Sequence, residues 1–390
     1  MEINHRIDNE ILYLAIDGRI DASNAAAAEE KFFAIKAENP EKHTVIDAEN
    51  LEYISSAGLR VILKLRKTEP KLAIINVASD VYEVLDMTGF TDMVTVEKAY
   101  PKMSVDGCEF IAKGANGAVY RYDEETIVKT YFAKDALPEI KQERENARRA
   151  FVLGVNTAIP YGIVRVGEYY GTVTELLNAT SVTKLIRQNP DDLSLAAKYY
   201  VEMLQSIHAI EVEDGEVPDI KETVLSWVDF VAQHIPEEAG KKLRALVEAV
   251  PKQNTLLHGD YHTNNIMVQN GEPLLIDMDT LCMGNPIFEL GSMFNAFVGY
   301  SELKHENAMN FYGYSFETAG KFWDMALKMY LGTDDEAVCR SVVEKAMVIG
   351  YTRMLRRAIR RPNEADSPAN IAHCKKRLVE LLNTVESLLL

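Results

Sequence analysis

The segment His258-Gly259-Asp260-Tyr261-His262-Thr263-Asn264-Asn265 places one carboxylate, two imidazoles and two amides within eight positions, and Leu274-Leu275-Ile276-Asp277 follows shortly after. Those residue types suit phosphoryl transfer to a hydroxyl. That reaction needs a carboxylate near the attacking oxygen and oxygen ligands for magnesium on the phosphates. Asp260 can orient or deprotonate the hydroxyl. Asn265, five residues on, can offer an amide oxygen to the metal. Asp277 ends a short apolar strand, so its carboxylate can point into the same cleft. Asp279 reads equally well as a second carboxylate near the metal or as a surface turn residue.

Upstream, Gly114-Ala115-Asn116-Gly117-Ala118-Val119-Tyr120 reads as a Gly-rich turn between two strands. Such a loop lets backbone N–H groups approach a phosphate without side-chain clash. Nine residues after Tyr120, the strand Ile127-Val128-Lys129 brings a lysine to the position where kinase-like folds bind phosphate. That lysine needs a glutamate from the next helix, expected from about Leu137 to Leu153. Glu143 and Glu145 lie on different faces of it. Ala147 and Ala150, four and seven residues after Glu143, favour Glu143 as the one facing the cleft.

From about residue 108 to 300, with a less distinctive helical tail to 390, the chain resembles the aminoglycoside phosphotransferases and their relatives, the choline and homoserine kinases. The resemblance rests on His258-Gly259-Asp260, Asn265 and Ile276-Asp277. It extends to Gly284-Asn285-Pro286-Ile287-Phe288-Glu289-Leu290, where Asn285 and Glu289 stand in places at which the family carries aspartate. It implies a two-lobed, protein-kinase-like α+β fold and an ATP- and magnesium-dependent enzyme that phosphorylates an alcohol. By the same resemblance Asp260 is the catalytic base, Asn265 and Asp277 bind magnesium, and His258 shapes the loop. Gly114, Asn116, Gly117 and Lys129 would bind ATP, with Glu143 fixing Lys129. Thr174-Glu175-Leu176-Leu177 resembles the hinge that holds the adenine, which brings in Glu175 and Leu177. Gln205-Ser206-Ile207-His208 resembles a core helix of the family, and His208 reads as structural. The tail should carry acceptor specificity, and no pattern in it names an acceptor.

These residues need elements to position them. A strand-rich stretch to about Glu175 and a mostly helical remainder, broken by loops and strands at 257–280, would supply two lobes. Residues 1–100 form a separate alternation. Ile11–Ile16 reads as a buried strand, Ala22–Ala37 as a helix, Thr44–Asp47 as a strand, Leu59–Lys67 as a helix, Leu72–Val77 as a strand and Val81–Met87 as a short helix, with Val94–Val96 last. This part resembles the STAS domain, the α/β fold of anti-sigma-factor antagonists, through Asp17-Gly18-Arg19-Ile20-Asp21, Tyr53 to Leu59 and Met87-Thr88-Gly89-Phe90. In the antagonists the serine two residues before the glycine is phosphorylated. That position is Ser56, which reads otherwise as the N-cap of the 59–67 helix. Ser55 stands where the antagonists usually carry aspartate. The expected division is 1–100 STAS-like, 101–107 linker, 108–177 N-lobe and 178–390 helical C-lobe.

Lys and Arg number 42 against 59 Asp and Glu, a formal net charge of −17. Both parts are acidic, with 11 against 18 in the first hundred residues and 31 against 41 in the rest. Neither offers the basic face that nucleic acid or an anionic membrane requires. The net charge would suit a cationic acceptor such as an aminoglycoside or choline. Cys108, Cys282, Cys339 and Cys374 are scattered, without C-x-x-C, and read as reduced thiols of a cytoplasmic protein. Met1 to Arg6 has no charged region followed by an apolar run, so no signal peptide is expected. The leading expectation is a small-molecule phosphotransferase with a STAS-type regulatory domain that contacts a regulatory protein. The rivals are a protein kinase acting on a STAS serine such as Ser56, and a catalytically silent nucleotide-binding scaffold.

Overall fold

Leu12, Leu14, Ile16 and Ile20 recur at even spacing along Ile11–Ile20, and strand geometry sends alternate side chains to opposite faces. In a computed structural model, which describes residues 1–390 except Ala115 and Ala365, those four are buried, whereas Ala15 and Asp17 between them are exposed. The strand is therefore half-buried, not buried throughout as expected.

Two compact units form, Met1–Ser104 with Val164–Gly167, and Val105–Ile163 with Glu168–Leu390. The strands of the first unit are Glu2–Asp8 (β1), Ile11–Ile20 (β2), His43–Ile54 (β3), Ala73–Val77 (β4) and Thr95–Lys98 (β5), in that spatial order. β1 runs antiparallel to β2, and the other neighbours are parallel. Ala25–Glu38 (α1), Ser56–Thr68 (α2) and Ser79–Met87 (α3) are the crossovers. Right-handed crossovers between sequential strands put all three on one face, which explains the half-buried strands. Phe32, Ile62, Leu65 and Leu85 from the helices fill the core with Leu14, Ile46 and Ile74. β1 was not anticipated, because Ile3 is its one buried residue. α2 begins earlier than expected. Its N-cap is Ser55, whose side chain accepts from Gly58 N, so Ser56 is not the cap but an exposed residue of the first turn. Lys102–Met103 (β6), inside the expected linker, pairs in parallel with Arg165–Val166.

In the second unit Glu109–Lys113 (β7), Gly117–Arg121 (β8), Thr126–Tyr131 (β9) and Tyr169–Glu175 (β11) lie in the order β11-β9-β8-β7, and Pro160–Val166 (β10), of which Val164–Val166 belong to the first unit, is the next strand after β11. Leu137–Val152 (α4) follows β9 and buries Ile140, Asn146 and Ala150. The helical half contains Val182–Gln188 (α5), Ser194–His208 (α6), Ile220–Ala232 (α7), Glu237–Glu248 (α8), Pro286–Phe297 (α9), Glu306–Tyr312 (α10), Phe316–Leu331 (α11), Glu336–Arg360 (α12) and Ser367–Thr384 (α13). Two small sheets are embedded in it. Thr180–Ser181 (β12) pairs with Ile266–Gln269 (β14), which pairs with Glu272–Leu275 (β15), and Leu256–Leu257 (β13) pairs with Cys282–Met283 (β16). Tyr200, Tyr261, Phe294, Phe297 and Phe322 are fully buried at the centre of this half. Among the described residues no helix is long and apolar enough to cross a membrane.

Candidate active site

Asn270 and Gly271 join β14 to β15, with φ of 53° and 82°. Successive positive φ values are what a two-residue hairpin turn of the favoured hand requires, and Asn-Gly adopts them readily. The hairpin registers Ile266 against Leu275, and Ile276 N donates to Asn265 O at 2.9 Å. Asn265 and Asp277 are thereby held at the two feet of one hairpin. Asn265 Nδ2 donates to Asp260 O at 3.1 Å, which leaves the amide oxygen for a ligand. Asp277 itself sits at φ 65°, a left-handed conformation that costs a non-glycine residue roughly 1–3 kcal/mol and that surrounding structure must impose.

The loop ahead of Asn265 is held by its backbone. Glu289, at 1% exposure, accepts from His258 N (2.6 Å) and Gly259 N (3.0 Å). Burial pushes its carboxyl up to about 7, against the two amides that favour the ionised form. His258 Nδ1 accepts from Asp260 N at 3.3 Å, so Nε2 carries the proton and donates to Ile276 O at 3.1 Å. Accepting at Nδ1 while donating from Nε2 requires the neutral ring, and burial lowers its pKa, against the Ile276 bond that favours the charged form. His258 thus ties Asp260 to the residue before Asp277. Gly259 has φ 82°, and a Cβ there would lie 2.5 Å from Thr280 O. Gly259 O accepts from Ser292 Oγ (3.0 Å) and from Arg353 Nη1 (3.1 Å). Tyr261 and Tyr200 exchange hydroxyl-to-carbonyl bonds at 2.6 and 3.2 Å, anchoring the loop to α6. Burial raises the Asp260 pKa, but His262, whose Nε2 is 3.6 Å away, and Arg353, at 3.8 Å, more than offset that and hold it below the ordinary range.

On the other side, Lys129 Nζ donates to Glu143 Oε1 at 2.5 Å and Tyr131 OH donates to Glu143 Oε2 at 2.6 Å. Glu145 pairs instead with Arg148 and Arg149. One turn on from Glu143, buried Asn146 donates to Met278 O (3.2 Å) and Asp279 O (3.3 Å). Burial, with Glu143 and Asp277 nearby, pushes Asp279 up to about 6, and Lys129 opposes the rise, so these four groups share one electrostatic neighbourhood. Gly114 and Asn116 lie in the turn before β8, Gly114 N donating to Gly117 O and Phe132 N to Asn116 O. Ala115 of that turn lies outside the described residues. A Cβ on Gly117 would come within 2.3 Å of Thr130 O, so β8 and β9 need glycine there. Glu175 accepts from Ile159 N at the end of β11, and Leu177 follows in the coil. His208 bonds Tyr330 OH at 2.8 Å, in keeping with a structural part. Asn285 caps α9.

Beside Asp260 opens a cavity of about 620 Å³, within the range usual for small-molecule sites (about 300–1,000 Å³). Asp260, His262, Asn295, Tyr300, Arg353 and Arg357 are in its wall. Sequence reasoning missed Arg353, Ser292 and Asn146. They lie on helices far along the chain from their partners, and nothing in their local pattern marks them.

A two-lobed kinase-like unit with an Asp-bearing loop, preceded by a STAS-type sheet, is the class of protein these features define. The chain belongs to the phosphotransferase enzyme family, which it matches over residues 107–321, and it matches the STAS domain over residues 2–103. A relative in Bordetella bronchiseptica described as an anti-sigma factor antagonist, BtrV, is 32% identical over 90 residues, 22% of this chain and 77% of the relative. Among solved structures, aminoglycoside phosphotransferase APH(2'')-Ib with ADP bound is 14% identical with a TM-score of 0.47, over 78% of this chain and 99% of that one. A choline/ethanolamine kinase family protein from Mesorhizobium loti is 12% identical with a TM-score of 0.45, over 71% and 92%.

Proposed function

We propose that this chain transfers the γ-phosphoryl group of ATP to a hydroxyl of a small molecule, with magnesium, and that residues 1–100 serve as a regulatory STAS domain. The observation that carries the reading is the Lys129–Glu143 pair, within electrostatic reach of Asp279 and Asp277. That pairing leaves Lys129 fixed and available to the α/β-phosphates. Asn265 and Asp277 offer hard oxygen ligands, and magnesium commonly takes only one or two protein ligands plus phosphate oxygens. They would hold the ion, which would offset phosphate charge. Gly114, Asn116 and Gly117 would cover the phosphates, and Glu175 and Leu177 would flank the adenine. Asp260, ionised, accepts the hydroxyl proton and aims the oxygen. The oxygen–phosphorus bond forms as the bond to the β-phosphate oxygen breaks. ADP takes that electron pair, and the proton passes from Asp260 to solvent.

The relation to an anti-sigma factor antagonist supports a regulatory protein as the partner of residues 1–100. The free thiols of Cys282, Cys339 and Cys374, all buried, suit a reducing cytoplasm.

Asp260→Ala should keep Mg–ATP affinity within about twofold and lower turnover by ~10²–10⁴-fold, the range for a positioned acid–base group. Asp277→Ala should instead lose magnesium-dependent nucleotide binding. Calorimetry and steady-state kinetics on both variants separate the two roles. Full turnover in Asp260→Ala would remove this loop from the chemistry.

A further inference from the structure

The C-terminal turns of α12 carry Arg353, Arg356, Arg357 and Arg360, and Arg361 follows, in a chain whose net charge is −17. Arg353 and Arg357 are four residues apart, hence on one helix face, and both line the cavity that holds Asp260. The other carboxylates of that wall are matched: Asp366 pairs with Lys304 at 2.5 Å and Glu364 with Arg361 at 3.1 Å. Arg353 spends Nη1 on Gly259 O and Ser292 Oγ and faces Asp260 at 3.8 Å. Arg357 lies 5.6 Å from the centre of the Tyr300 ring and pairs with no carboxylate among the described residues. Two further groups of the wall are buried without a hydrogen-bond partner among the described residues. They are His262 Nδ1 and the whole side-chain amide of Asn295, which is 1% exposed. A buried amide with no partner is costly unless something fills it.

A polycation entering here would meet two guanidinium groups and no unmatched carboxylate except Asp260, a like-charge juxtaposition that disfavours binding. The acidic net charge does not reverse this, because charges beyond about 8 Å are screened at physiological salt. A phosphate or carboxylate would fit the planar fork of Arg357 in two-point contact. We propose that the acceptor is an anionic alcohol, a small hydroxyl compound bearing a phosphate or carboxylate that Arg357 binds while Asp260 takes the hydroxyl. This rests on the phosphotransferase reading above.

The test uses the full chain with Mg–ATP and three acceptor sets: anionic alcohols in separate sugar-phosphate and hydroxy-carboxylate arms, cationic alcohols (kanamycin, choline), and neutral sugars. ADP release is followed, and products are identified by mass spectrometry. Turnover is expected in one anionic arm, which also tells phosphate from carboxylate. Arg357→Gln should raise the acceptor KM by about 10–100-fold, the scale of one charge-assisted contact, with no comparable change in the KM for ATP, and Arg357→Lys should restore part of it. Turnover confined to cationic or neutral acceptors overturns the proposal, as does an acceptor KM indifferent to Arg357→Gln. Calorimetry with Mg–ATP separates the two layers. Nucleotide binding without turnover of any anionic alcohol overturns the acceptor class alone, whereas absent nucleotide binding overturns the phosphotransferase reading itself.

Discussion

Glu289 sits beneath the 258–260 loop as the acceptor for two of its amides, and its buried carboxyl titrates near 7 where an ordinary glutamate titrates near 4.5. The unfolded chain therefore gives up this proton first as pH rises. The folded state holds more protons between the two values, so stability is full below about 4.5, falls as pH climbs toward 7, and levels off above it. At ~1.4 kcal/mol per unit, the wild type should lose roughly 2 kcal/mol between pH 5.5 and 8 from this group. Other groups also titrate, so the informative quantity is the difference from Glu289→Gln, measured by urea denaturation across that range. The wild type should lose stability relative to the variant, and parallel curves would mean that Glu289 is already ionised at pH 5.5. The neighbouring His258 works by the opposite logic. Its neutral ring both donates and accepts, and a proton on Nδ1 would cost it the bond from Asp260 N.

At the scale of elements, α4 is the piece that joins the two halves of the site. Glu143 grips Lys129, and Asn146, three residues on, holds the carbonyls of Met278 and Asp279. Asn146→Ala strips partners from a buried turn and should cost about 1–3 kcal/mol, the desolvation scale of unmet polar groups. It should also weaken Mg–ATP binding more than twofold. Equilibrium unfolding and nucleotide titration check the pair, and a stability loss with unchanged affinity would make Asn146 a packing residue only. Much of this site was readable because its parts are local. His258 to Asn265, Ile276-Asp277 and Lys129 are contiguous signals, and the choice of Glu143 over Glu145 followed from helix periodicity. Asn270-Gly271 was an available signal for the hairpin that aligns Asn265 with Asp277. Arg353 and Asn146 had none, since their partners lie 94 and 132 residues away and only packing of the helices brings them together. In the first unit, β1 escaped for a related reason. An edge strand with a single buried residue has no alternation to read, and the ladder from Glu2↔Asp17 to Asp8↔Ile11 sets its place.

At the scale of the whole molecule, the candidate catalytic set and its cavity lie in the second unit, and Ser56 lies in the first, exposed in the opening turn of α2. A short covalent tether gives an effective concentration of about millimolar where geometry allows contact. Concentration alone therefore would not prevent transfer to Ser56, and the chemistry of the acceptor decides. Ile54, Ser55, Ala57 and Gly58 flank Ser56 without a charge, and Arg60 stands one turn on. This is a poor match for a cavity that presents Arg353 and Arg357. Ser56 should stay unmodified when the purified chain is incubated with ATP and magnesium, under conditions in which an anionic alcohol is turned over. Peptide mapping by mass spectrometry, with Asp260→Ala in parallel, decides it. Phosphate on Ser56 that vanishes in the Asp260→Ala protein would show transfer by this chain's own site and would count against an anionic acceptor. If Ser56 stays bare, the helix N-terminus remains open to a kinase from outside. A phosphate there would add roughly −1.5 to −2 charges where a helix favours them, changing which protein surface α2 can dock against without involving the 258–265 loop.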